Sequence, residues 1–182
     1  MRKSLIPLAI LALSLLVTAS AFAYSGGISG LSQNGCGGCH SNAGTAQVTL
    51  DGLPAQYEPG KTYTLTVTVS SQDVPGEGGG FDLSVTAGTL TPIDATTKID
   101  GNDLTHTGAQ RRSWSFNWTA PTQGDVTFYV AGLAANGDGG INGDAWTTYS
   151  SSVPVIPEFP GLTILIVLAA VALIILLAKK YY

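Results

Sequence analysis

A mainly β fold, an antiparallel two-sheet sandwich, is what this sequence predicts. Three observations carry the prediction. Several short runs between residues 47 and 153 alternate apolar and polar side chains with period two, as a strand with one buried face does. Turn signals rich in Gly, Pro, Asn and Asp separate those runs. No helical periodicity of useful length lies among them. Many short strands joined by short turns pack as two antiparallel sheets.

In chain order, residues 1–23 read first, as an export signal. Arg2 and Lys3 precede an apolar run from Leu5 to Val17, and Ala21-Phe22-Ala23 gives a small-x-small cleavage pattern, so the mature chain is expected to begin at Tyr24. The competing reading is a retained N-terminal anchor. Residues 24–46, rich in Gly, Ser and Asn and holding both cysteines, are expected to form a loop with one short helical turn. Strands are expected at 62–69, 80–87, 113–119, 125–133 and 145–151, with shorter ones at 47–50 and 88–91. Glu58-Pro59-Gly60, Val74–Gly79 and Asn136–Gly140 supply turns. Trp114, Phe116 and Trp118 share one parity and, with Phe81, Leu83 and Val85, are expected to line the core between the sheets; the alternative is that one of the tryptophans also abuts a cofactor. Residues 154–161, with Pro154, Pro157 and Pro160, read as a stiff stalk.

The apolar segment 162–178 then predicts a single C-terminal transmembrane helix. Its length, ~26 Å at ~1.5 Å per residue, is at the lower limit for a hydrocarbon core of ~30 Å. Tyr and Lys flanks can reach the interface. Lys179 and Lys180 would make 179–182 a cytoplasmic tail and leave 24–160 outside. A buried core helix is the alternative.

All 12 acidic residues, but only Lys61, Lys98, Arg111 and Arg112 among the basic ones, fall within 24–160. A stretch near −8 excludes nucleic acid as a partner and suits a basic redox partner or an acid-tolerant or high-salt surface. His40 and His106 are the only histidines. No Ser-His-Asp arrangement can be built from them, and no carboxylate pair stands out, so hydrolysis has no positive support.

Gly35-Cys36-Gly37-Gly38-Cys39-His40 carries the chemistry. Cys36 and Cys39, with two residues between them, can each form a thioether to a porphyrin vinyl group, and His40 then lies beneath the iron. This spacing reads as covalent attachment of one c-type haem, with His40 as proximal ligand. Gly37 and Gly38 leave the porphyrin edge unobstructed. Three other readings compete: a thioredoxin-like redox pair, which belongs at a helix start in an α/β fold; a Cys36–Cys39 disulfide; and zinc held with His106 and an acid. For the sixth iron position, Met1 is the sole methionine and leaves with the signal, so His106 is the favoured distal ligand. It stands in Leu104-Thr105-His106-Thr107-Gly108, expected as a polar loop between strands. A solvent-exposed His106, an open or water-filled site, and the α-amine of Tyr24 remain as alternatives.

Asp138, Asn142 and Asp144 lie in a Gly-rich loop that could hold calcium through oxygen ligands, or simply form turns. Asn117-Trp118-Thr119 is a glycosylation sequon, and the parity of Asn117 turns it to solvent. Arg111-Arg112 is a small basic spot suited to a haem propionate or to solvent.

These residues also carry a family resemblance. The haem motif, Tyr57-Glu58-Pro59-Gly60-Lys61-Thr62-Tyr63, Gly80-Phe81-Asp82-Leu83, Trp118-Thr119-Ala120-Pro121, Val126–Gly137 and Gly143-Asp144 together resemble the choice-of-anchor V family over roughly residues 33–150. The resemblance implies a reeler-like, immunoglobulin-like sandwich on a surface anchor, with haem residues at Cys36, Cys39 and His40 and a further histidine at His106. Ile156-Pro157-Glu158-Phe159-Pro160, with the apolar segment and lysines after it, resembles the PEF-type sorting signal of archaeal surface proteins. That resemblance implies removal of the apolar segment and its replacement by lipid.

The expected function is a cell-surface monohaem cytochrome c. It would pass single electrons through a bis-histidine haem between donor and acceptor proteins, as a carrier in preference to an enzyme. The alternatives are a structural or binding module that self-associates, with haem as a secondary cofactor, and an open-site haem sensor or peroxidase-like enzyme.

Overall fold

The computed structural model describes residues 24–156 and 161–181. The expected signal peptide and residues 157–160 of the sorting-signal resemblance lie outside them. Nine strands are described: β1 (Ala46–Asp51), β2 (Thr62–Ser71), β3 (Gly79–Val85), β4 (Thr89–Pro92), β5 (Thr97–Asp100), β6 (Asp103–His106), β7 (Ser113–Thr119), β8 (Val126–Ala134) and β9 (Ala145–Val153). They form two antiparallel sheets, β1-β2-β7-β4 and β5-β6-β3-β8-β9. The two-sheet sandwich is therefore as expected, and each expected strand is present within a residue or two of its predicted bounds.

Alternation explains why the sheets close on each other. In β2 and β7, Leu65 faces Phe116 and Val67 faces Trp114, all on the inner side. On the outer side hydroxyl and amide side chains bond across the same pair: Thr62 to Thr119, Thr64 to Asn117 and Thr66 to Ser115, at 2.9–3.0 Å. One face thus removes apolar surface from water while the other keeps its polar groups satisfied. Trp114, Phe116 and Trp118 are 0–1 % exposed and join Phe81, Leu83 and Phe128 in one core. Gly132 on β8 marks how closely the sheets approach, since a Cβ there would stand 2.3 Å from Val48.

The hairpin β5–β6 was not expected. Its two strands are four residues each, joined by Gly101-Asn102 in register Asp100↔Asp103. Residues of β6 are buried on both faces, Leu104 toward the core and Asp103 and Thr105 beneath the N-terminal segment. A strand covered on both sides loses the alternation by which it could be read. So His106 ends a buried strand rather than occupying a polar loop.

One expectation about the C-terminal end is corrected. The helix α1 (Gly161–Tyr181) follows the sandwich, but among the described residues no helix is long and apolar enough to cross a membrane. The transmembrane assignment of 162–178 is thereby corrected. Before the helix, Tyr57 N–H donates to the Pro154 carbonyl at 3.0 Å and Ile156 N–H to the Tyr57 carbonyl at 2.9 Å, strapping 154–156 to the sandwich.

Candidate functional site

The segment preceding β1 lies on the outer face of the five-stranded sheet, held by two carboxylates. Gly30 N–H donates to Asp103 Oδ2 at 2.8 Å, and Leu31 and Ser32 N–H donate to Asp82 Oδ2 at 2.7 and 2.9 Å. Asp82 is only 3 % exposed. Burial pushes its carboxyl up to about 7; the Leu31 and Ser32 amides oppose this, and the neighbouring Asp103 charge adds to it.

Beyond this dock the chain makes a single 3-10 turn, Cys36–Gly38, closed by Cys39 and His40 N–H donating to the Cys36 carbonyl at 3.1 and 3.0 Å. Both thiols are free, Cys36 half-buried and Cys39 exposed. The Cys36 thiol is pushed up to about 12, first by burial and then by the charges of Asp82 and Cys39. Such a thiol is the opposite of the acidic nucleophile that a redox pair needs. The turn rests on Trp146 of β9. A Cβ at Gly35 or Gly37 would stand 2.3 or 2.5 Å from its ring, and Gly35 also has φ +76°. Gly37 thus answers to the tryptophan beneath it, while Gly38 has open space around it.

The two histidines come to this place from distant parts of the chain. His40 Nδ1–H donates to Asp144 Oδ2 at 2.6 Å, and Asp144 is 1 % exposed. The other carboxylate oxygen accepts Asn136 N–H at 2.9 Å. His106 lies against the Gly80–Phe81 backbone, its Nδ1 3.1 Å from both the amide nitrogen and the carbonyl oxygen of Phe81. A Cβ on Gly80 would stand 2.4 Å from its Cε1 and 2.8 Å from its Nε2. Burial pulls the His106 pKa down, the Phe81 contact opposes this, and Lys98 adds to the lowering, which favours the neutral ring. Trp114 of the aromatic stripe abuts this histidine, ring centroids 6.0 Å apart.

Cys36, Cys39, His40 and His106 all line one cavity of about 290 Å³, together with Tyr24, Ile28, Leu133 and the Gly78–Gly80 backbone. With each Nδ1 engaged, Nε2 is the nitrogen each ring has left, and neither Nε2 has a hydrogen-bond partner among the described residues. Two free thiols, two imidazoles with a nitrogen to spare and a floor without side chains fit a c-type haem, whose ring supplies the remaining iron ligands. Among the described residues no group of three or more His, Cys, Asp or Glu could hold a bare metal ion, which leaves the zinc reading without its ligands.

The other expected sites are not assembled in the same way. Asp138, Asn142 and Asp144 all contact Asn136, and their oxygens are taken up by groups of the chain itself. Asp138 accepts Gly140 N–H at 2.7 Å and the Asn136 amide at 3.1 Å, the Asn142 side-chain oxygen accepts Ser41 Oγ–H at 3.1 Å, and Asp144 turns inward to His40. Asn117 lies on the outer face of β7 and accepts Thr64 Oγ1–H at 3.0 Å. Arg112 donates to the carbonyls of Gly78 and Ala135 at 2.8 and 3.2 Å, so it ties strand ends together beside the cavity. The roles of Asp82, Asp103, Asp144 and Trp146 were missed from sequence. Each acts on a residue about 50 to 110 positions away, and no local pattern marks such a partner.

Among solved structures the chain is similar to β-sandwich domains: the Reelin-N domain of F-spondin, at 20% identity and TM-score 0.47 over 65% of this chain and 93% of that one, and the reeler domain of human F-spondin, at 20% and 0.46 over 61% and 92%. The likeness is one of reeler-like architecture and extends to no ligand. No family model matches the chain, and no curated protein sequence does.

Proposed function

We propose that this chain is an exported monohaem c-type cytochrome that carries single electrons through a haem held between His40 and His106. The observation that supports it best is the pairing of two pinned imidazoles on one cavity with the two free thiols. Each thiol would add across one vinyl double bond, sulfur to one carbon and hydrogen to the other, so attachment consumes no oxidant. Haem bound there supplies one-electron chemistry. The protein's part is to orient. Asp144 fixes the His40 ring, the Phe81 backbone and Gly80 fix that of His106, and a neutral His106 whose Nδ1–H donates to the Phe81 carbonyl would keep its lone pair on Nε2. His40 and His106 would both be engaged by the bound haem and would leave no place for a substrate at its iron, which favours a carrier over an enzyme. Export agrees with haem attachment outside the cytoplasmic membrane, and the PEF-type resemblance supports a lipid anchor at the outer surface. The acidic surface favours a basic redox partner.

The test is optical. The purified protein should keep its haem spectrum after denaturation and show a low-spin haem that ignores carbon monoxide. His106→Ala should become high-spin and bind carbon monoxide. Loss of all haem on denaturation would defeat the proposal. A low-spin spectrum surviving His106→Ala would transfer the distal role to the Tyr24 amine, since Tyr24 also lines the cavity.

A further inference from the structure

We infer that Asp144 is a positioning residue that sets the redox preference of the site through His40, an inference that rests on the haem reading above. The two axial rings are held by chemically different partners. His106 Nδ1 faces a neutral peptide group. His40 Nδ1–H points at a carboxylate oxygen 2.6 Å away, the short distance of a charge-assisted bond. Asp144 is 1 % exposed, and neither Lys nor Arg lies within ion-pair distance of it among the described residues. A buried carboxylate needs compensation. Here it receives one backbone amide, from Asn136, and the His40 proton. That leaves the imidazole proton drawn toward Asp144 and the ring partly anionic, hence a stronger electron donor through Nε2.

The backbone reinforces the contact. Ala43 N–H donates to the Asp144 carbonyl at 2.7 Å and Ser41 N–H to the Ile141 carbonyl at 2.9 Å, so the residues after His40 are clamped to the loop that carries the carboxylate. Ring and main chain are therefore fixed by one residue. A more anionic ligand stabilises the oxidised, more positive iron over the reduced form. Asp144 thus makes the carrier a stronger reductant than a site with two neutral-bonded histidines.

The experiment compares haem-loaded wild type with Asp144→Asn and Asp144→Glu by redox titration and optical spectroscopy. Asp144→Asn keeps the shape and removes the charge. It should retain covalent haem and the low-spin spectrum while its midpoint rises by about tenfold in the ferric-to-ferrous preference, ~59 mV for a one-electron couple. Asp144→Glu, which keeps a carboxylate, should fall between the two. An unchanged midpoint in low-spin Asp144→Asn overturns the role of Asp144 and leaves the haem reading intact. Wild type without covalent haem overturns the haem reading itself. Should the variants fail to fold, proton NMR of wild-type holoprotein decides: a His40 Nδ1 proton slow to exchange supports the inference, and one exchanging as fast as a solvent-facing imidazole overturns it.

Discussion

At Gly80 the backbone passes directly under the His106 ring, so a single methyl group there reports on the distal side of the site. Gly80→Ala would bring its Cβ to 2.4 Å from a ring carbon and 2.8 Å from Nε2. The ring must move, because the other side of the contact is the strand backbone. We expect Gly80→Ala to keep covalent haem on a denaturing gel and to lose the low-spin spectrum of the wild type; an unchanged spectrum would show that His106 does not bind the iron from this position. Residues of this kind differ in how far they can be read from sequence. Cys36, Cys39 and His40 could be picked out as candidates by their spacing and His106 by elimination, and the fold brings all four to one cavity. Gly80, Asp144 and Trp146 were not, since each owes its role to a neighbour brought near by the fold, 26, 104 and 109 positions away respectively.

Among the elements, the N-terminal segment and the strands β3 and β6 beneath it form a unit whose fit depends on proton binding. Asp82 accepts from Leu31 and Ser32 yet has its carboxyl held up to about 7 by burial, above the ~3.9 of an unfolded chain. A folded state with the higher pKa binds the proton more tightly than the unfolded one. The resulting stabilisation is complete below about pH 4, declines as pH rises, and is gone above about pH 7. Wild type should therefore lose stability between pH 5 and 7 on the order of 1 kcal/mol per pH unit, and Asp82→Asn should remove most of that slope; urea midpoints at pH 5, 6, 7 and 8 measure both. Equal slopes would mean the carboxyl titrates as an ordinary surface acid. Strands with one wet face, such as β2 and β7, were legible through alternation. The hairpin β5–β6 was hidden by its short strands and its cover on both faces, although Gly101-Asn102 is a two-residue turn signal of the right length.

For the molecule as a whole, stability is set between the sheets. Trp118 is fully buried, meets Phe128 and Tyr57 edge-on at centroid distances of 4.9 and 5.6 Å, and donates its indole N–H to the Ala87 carbonyl at 3.1 Å. Trp118→Ala should cost about 3–5 kcal/mol, read as a fall in the urea midpoint; a loss under 1 kcal/mol would show that the core refills around the gap. The sandwich itself followed from the period-two pattern. The expected membrane span did not hold, because among the described residues no helix is long and apolar enough to cross a membrane. The core also bears on the order of assembly. Every residue of its main cluster falls between Ala46 and Val153, while the Cys36–His40 turn rides outside the sheet on Trp146. No residue of that cluster comes from the turn, so on the proposed haem reading closure of the two sheets would not depend on attachment, and the two thiols would be met as the fold holds them, Cys39 exposed and Cys36 half-buried.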